Sequence, residues 1–268
     1  MDRGESMQIG EIITDSLKYP LSNWKKFLIL GIILVFSNIL TIGINLGLKS
    51  FTEIILLGII GLLIGILVDG YIFKILKSTL EGIDELPDFN AWFEMFINGI
   101  KMFIVRIVYA IPAILIAVYA LLSFGPALMN LILHPSSTPS DADINIFLNI
   151  SVLILIASLY LIIITPIMYM AMANMANSTG KLGAAFGLGG IFNKIGNIGW
   201  GNLIVWYIAV GFIYLALTLV GSFITTFGIS KLTQPIIGSL ILSLIVIPYI
   251  YMFLYRSVAL VYKSDEED

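Results

Sequence analysis

Cysteine is absent from this 268-residue chain, histidine occurs once, and charged residues make up only 12% of it. The first absence removes disulfides, thiolate metal sites and thiol redox relays together. The one histidine, His134, sits beside Pro135 in a polar connecting segment, so a metal site built on several imidazoles is excluded. So little charge cannot cover the surface of a water-soluble domain of this length. The net charge of -3 owes much to the acidic residues Asp265, Glu266, Glu267 and Asp268, and there is neither a basic arm nor a nucleic-acid footprint. An early apolar core followed by small residues is also missing, so no cleavable signal peptide is expected.

What fills the chain is hydrophobic residues, 59% of the total, with a mean hydropathy of +1.02. Six apolar runs approach or exceed the ~20 residues needed to cross a hydrocarbon layer. They are Phe27–Leu48, Phe51–Val68, Met102–Leu122, Ile144–Ala173, Leu203–Phe227 and Pro235–Tyr255. The pattern predicts an all-α integral membrane bundle of six transmembrane helices, with residues 1–262 forming a single polytopic domain and 263–268 an acidic tail. A tight turn joins the first two runs, where Ser50 and Glu53 have capping-box spacing.

Basic residues fall in alternate gaps. Arg3, Lys18, Lys25 and Lys26 precede the first run; Lys74, Lys77, Lys101 and Arg106 surround the gap between the second and third. Lys181 and Lys194 lie between the fourth and fifth, and Arg256 and Lys263 follow the last. Only Lys49 and Lys231 occupy the other gaps. By the positive-inside rule both termini are expected in the cytoplasm, with the protein multi-pass in the cell membrane.

Before each odd-numbered run lies an amphipathic stretch. Ile9, Ile12, Ile13 and Leu17 make one apolar face; Phe89, Trp92, Phe93, Phe96, Ile97 and Ile100 make a second; the glycine-interrupted segment from Leu182 to Ile195 makes a looser third. Such helices can lie flat at headgroup level. Three repeats of interfacial helix plus two-span hairpin are therefore expected, the alternative being ordinary loops between spans. Trp92, Phe93 and Phe96 are candidates for interfacial docking or for anchoring the fold.

Asn38, Thr41 and Asn45 share a face of the first run, suited to helix contact or, alternatively, to a polar path. Gly43 and Gly47, like Gly61 and Gly65, have the spacing that permits close helix approach. Pro112, Pro166 and Pro248 interrupt runs at depth, each freeing a carbonyl that something must satisfy. Asp69 and Arg106, near the same ends of their runs, are expected to form an interfacial ion pair. Catalytic constellations are missing: Asp69 has no second buried acid, His134 no nucleophile elbow, and Phe192 breaks a dinucleotide fingerprint begun by Gly187, Gly189 and Gly190. No cofactor or metal is expected.

The segment GYIFKILKSTLEGIDELPDFNAWFEMFINGIKMFIVRIVYAIP, Gly70–Pro112, resembles the signature of the DUF4013 family of multispanning membrane proteins. The likeness rests on Gly70-Tyr71 and the basic helix that follows, then Gly82, Leu86-Pro87, Trp92, Gly99, Tyr109 and Pro112. The leader Gly10–Gly31 is also similar. The resemblance implies a helical membrane domain and supplies no reaction. In the same segment Pro87 biases Leu86 away from helical geometry, so a helix should end before it and Asp88 or Asn90 should cap the next. The expected role is non-catalytic: a structural, lipid-contacting or partner-binding membrane protein whose partners are lipids and an undefined membrane protein. A transporter for a small or lipid-like molecule is the alternative.

Overall fold

A computed structural model of the protein describes residues 8–133, 140–223 and 235–265. Arg3, Lys231, His134 and the last three acidic residues lie outside the described residues. Ten α-helices account for most of the described chain, and no strand is present among the described residues. They are α1 Ile9–Lys18, α2 Trp24–Ser37, α3 Ile39–Asn45, α4 Phe51–Leu80, α5 Trp92–Leu133, α6 Asp141–Asn177, α7 Leu188–Ile198, α8 Trp200–Phe223, α9 Pro235–Ile241 and α10 Ile247–Lys263. A π-helical stretch, Leu242–Val246, joins the last two.

Among the described residues, five helical segments are long and apolar enough to cross a membrane: α4, α5, α6, α8 and Gly238–Lys263. A sixth follows if α1 with its adjoining turn and α2, which meet at 80°, count as one broken span. The first apolar run thus differs from a single helix. It breaks at Asn38, whose side-chain amide donates to the Leu34 carbonyl at 2.9 Å, beside the Ser37 hydroxyl doing the same. Both bonds share the Leu34 carbonyl with the Asn38 backbone N–H, the kind of back-bonding that commonly bends helices.

Helices α4 and α5 run longer than their apolar windows. Helix α5 has 42 residues, about twice the number needed to cross a hydrocarbon layer. The stretch around Trp92 is helical and continuous with the third run. Helix α4 ends where Gly82 adopts φ +79°, before Leu86-Pro87 as the sequence requires. Ser50 stands at its N-cap without a side-chain hydrogen bond, so the expected capping box with Glu53 does not form. Reciprocal boxes form instead at Gln8 and Glu11 before α1 and at Ser140 and Asp143 before α6.

Two compact units are distinguishable: one from the segments up to Phe103 and from Tyr169 onward, the other Ile104–Met168. The smaller comprises α5 from Ile104 onward and α6 up to Met168, where the Tyr160 hydroxyl donates to the Tyr109 carbonyl at 2.8 Å. Many of its large apolar side chains are exposed, Val105, Tyr109 and Ala113 being buried exceptions, and none of the most apolar window of α6 is buried. In the larger unit, burial concentrates at one end. Tyr71 to Leu76 of α4, Met170 to Ala176 of α6 and Met252 to Tyr262 of α10 form the core there, with Ile12 of α1 and Ile191 and Ile195 of α7 closing it. Most of the basic residues share this end, which is termed the basic end below.

Glycine brings the helices of that end together. Gly70 of α4 lies against the Met95 carbonyl and Gly99 of α5 against the Ile66 carbonyl, so a methyl group at either position would collide with backbone. Gly61 faces the Ser37 carbonyl at the α2–α3 break, whereas Gly65 and Gly47 have open space around them. Gly31 of α2 abuts the Leu244 carbonyl, the one that Pro248 leaves without its helical donor. The freed carbonyl is thereby packed against a helix backbone, where a weak Cα–H contact can reach it. Gly70→Val and Gly99→Val should each lower stability by at least about 1–3 kcal/mol, the cost of overpacking a rigid contact. Gly65→Ala should be neutral, and thermal unfolding in detergent compares them.

Candidate functional site: an arginine-centred layer at the basic end

The most buried ionised group among the described residues is Arg256, only 3% exposed on α10. Its Nε donates to Asp15 Oδ1 of α1 at 2.7 Å, and one terminal nitrogen donates to Asp84 Oδ1 in the loop after α4 at 2.6 Å. The other terminal nitrogen donates to the Ile83 carbonyl at 3.0 Å and to the Thr79 hydroxyl at 3.4 Å. The guanidinium also lies 4.8 Å from the centre of the Tyr19 ring. Three separate stretches of chain therefore meet on one side chain. Arginine suits this position because its planar fork offers several fixed donors to several acceptors at once.

Neighbouring cations of this end also hold backbone. Lys26 pairs with Asp88 at 2.7 Å and donates to the Leu86 carbonyl at 2.6 Å. Lys74 donates to the Asp88 carbonyl at 2.8 Å and to Asn90 Oδ1 at 2.6 Å. Neither Asp88 nor Asn90 is left to cap α5, and Ala91 enters that helix at φ 52°. Tyr71 donates to the Pro87 carbonyl at 3.0 Å and stacks on Phe89 with ring centroids 4.0 Å apart. Lys101 donates to the Gly180 carbonyl at 2.9 Å, and Lys194 pairs with Asp265 at 2.5 Å. The Tyr262 hydroxyl donates to Asn174, whose amide donates to the Ala184 carbonyl. A polar cleft of about 470 Å³ opens beside this layer between Gln8, Ile12, Asn197, Asn202, Ser264 and Asp265.

The structure distributes the residues singled out from sequence as follows. Trp92 and Phe93 are exposed on the first turn of α5, and Phe96 is partly buried one turn on. Asn38 serves its own helix; Thr41 is exposed; Asn45 reaches Ser239 of α9 at 3.4 Å. Asp69 is buried on α4, and Arg106 lies on α5 within the smaller unit. Pro112 and Pro166 are inside α5 and α6, while Pro248 opens α10 directly after the π-helical stretch. The arginine cluster is not evident from the sequence, where Arg256 stands as a flank of the last span. The available signal was the apolar continuation SVALVY, which carries α10 past the arginine and surrounds it.

With this geometry in hand, comparison with known proteins gives one finding. Residues 53–226 match the model of the family described as "Protein of unknown function (DUF4013)". The chain belongs to that family, and its long apolar helices make it a multispanning membrane protein. No curated protein and no solved structure matches it.

Removing one partner from a buried ion pair costs about 3–5 kcal/mol, less here because Asp84 and Asp15 retain contact with solvent. Arg256→Gln should therefore destabilise more than Asp15→Asn or Asp84→Asn, and Arg256→Lys should not restore the loss. Chemical unfolding in detergent ranks the four. The hydrogen bond and charge of Lys26 hold the Asp88 carboxyl below the usual carboxylate range. A depressed value makes the Lys26 contact stabilising above the unfolded-state value, with loss as pH falls through the folded one. Asp88→Asn should flatten that acid limb.

Proposed function

We propose a non-catalytic role in the cell membrane: a multi-pass protein with both termini in the cytoplasm, whose basic end forms an interfacial layer contacting lipid and a membrane-protein partner. One observation carries this. Trp24, Trp92 and Trp200 are the first residues of α2, α5 and α8, and all three are exposed. Exposed indoles at the mouths of apolar helices are stabilised at the headgroup level, where an apolar body and a polar tip are both accommodated.

The same three positions support a repeat of the layout. Each tryptophan opens a pair of apolar segments: α2 and α3 with α4, α5 with α6, and α8 with the π-interrupted α9–α10. Amphipathic α1 precedes the first pair at its 80° bend, and α7 precedes the last across Gly199, whose φ is +89°. Before Trp92 stands the loop closed by Tyr71, Lys26 and Lys74 instead. In the middle copy the amphipathic turns are fused to the span.

A permease for a small or lipid-like molecule is the second reading, favoured by the π-helical stretch before Pro248 and the Asn45–Ser239 contact. Backbone opened in this way can line a cavity in transporters. Protein reconstituted in liposomes should give no saturable flux of candidate solutes; flux abolished by Asn45→Leu would sink the non-catalytic reading. Topology is checked by single substitutions in the cysteine-free background. A cysteine introduced by Ser137→Cys should react with an impermeant reagent outside intact cells, and one from Ser78→Cys should not.

A further inference from the structure

We propose that the elbow between α1 and α2 binds an anionic phospholipid, with the phosphate held by Lys18 and Lys25 and an acyl chain laid along α2. This deepens the interfacial reading above and rests on it.

The elbow is rigid before any ligand arrives. Tyr19 and Pro20 are buried in the turn Tyr19–Leu21, and the Tyr19 ring lies under the Arg256 guanidinium. The Tyr19 hydroxyl donates to the Glu85 carbonyl at 3.3 Å, and the Tyr249 hydroxyl of α10 donates to the Leu17 carbonyl at 2.8 Å. On the far side the Ser22 hydroxyl donates to the Tyr19 carbonyl, and Asn23 Oδ1 accepts from the Lys26 amide to cap α2. Backbone is thus fixed on both sides of the bend.

What the elbow presents outward is unused. Lys18 and Lys25 are exposed, and neither has a hydrogen bond or ion pair with any described residue. Lys26, one position on, is held by Asp88 and Leu86. Between the two lysines, Leu21 is 71% and Trp24 65% exposed. Lys25, Ile29, Ile32 and Phe36 then recur at helical spacing along one face of α2, all exposed. From Lys25 to Phe36 that face runs about 16 Å, comparable to an extended acyl chain.

Charge complementarity selects the occupant. A free anion would satisfy the lysines and leave the apolar stripe bare, and an acidic protein segment would do no better against Ile29, Ile32 and Phe36. A phospholipid with a net negative headgroup satisfies both ends, with the indole of Trp24 at the level between them.

The test uses the full-length protein in phosphatidylcholine vesicles carrying brominated phosphatidylglycerol, with tryptophan quenching reporting relative lipid affinity. Preference for the anionic lipid is expected, reduced about fivefold by Lys25→Gln and further by Lys18→Gln/Lys25→Gln, and weakened by added salt. Lys49→Gln should leave it unchanged, and Lys18→Arg/Lys25→Arg should retain it, separating lost charge from lost fold. Water-soluble glycerophosphoglycerol should fail to compete. Equal affinity for both lipids, a preference that survives the double glutamine variant, or full competition by the soluble headgroup overturns the proposal. Loss of lipid preference in a protein without solute flux leaves the non-catalytic reading standing, whereas saturable flux removes that reading.

Discussion

A guanidinium taken out of water must be met by acceptors, and Arg256 finds them on three different parts of the chain. The desolvation penalty of a buried cation is several kcal/mol unless charge and hydrogen bonds compensate it. Asp15, Asp84 and the Ile83 carbonyl can do so only when α1, the loop after α4 and α10 converge. The position of α1, and hence the bend into α2, follows from that requirement. So does burial of the Tyr19 ring against the guanidinium and of Leu86 in the loop that Lys26 and Tyr19 hold by its carbonyls. Most bonds in the layer have a backbone carbonyl or a carboxylate at one end, which fixes chain path more than side-chain position.

Along the apolar helices the balance of forces differs. Lipid tails are as apolar as leucine, so these segments gain little hydrophobic energy by meeting one another. Their windows are correspondingly little buried: 17% for α4 and none for α6. Contacts that do form depend on close approach, as where Gly31 admits the Leu244 carbonyl. The one window with substantial burial, 44% in Gly238–Lys263, is the one that continues into the arginine layer. Specificity in this molecule is concentrated where the chain leaves its apolar segments, since only there do unsatisfied polar groups penalise alternative packings.

Helix class, the apolar segments and the end of α4 at Gly82 before Leu86-Pro87 were legible in the sequence because each is set by local chemistry: apolar run length, turn-forming glycine and the restriction proline imposes on its neighbour. The break at Asn38 was less legible, since three polar residues at helical spacing argue equally for one continuous face. Capping at Ser50 and at Asn90 differs from what the spacing suggests. Local spacing offers a cap at both, but Lys74 takes the Asn90 oxygen, and the Ser50 side chain makes no cap hydrogen bond. The arginine cluster was hidden more deeply, because Asp15, Asp84 and Arg256 are separated by long stretches of chain and only folding brings them together. A rule that reads cations as topological markers also gives Lys26, Lys101 and Arg256 the same weight as Lys25, although their environments have little in common.

That difference in environment bears on how the basic end works. A positive-inside bias requires only charge on one side, and any exposed lysine supplies it. Several of these cations are instead withdrawn into carbonyl and carboxylate contacts, where they contribute little to the potential that lipid headgroups experience. The remainder stay exposed, among them Lys18 and Lys25 on the bend whose Tyr19 ring the buried arginine covers. One set of charges shapes the scaffold, and another, with Lys18 and Lys25 in it, stays exposed. Separating the two lets the scaffold tolerate changes in ionic strength or lipid charge that would perturb the exposed set.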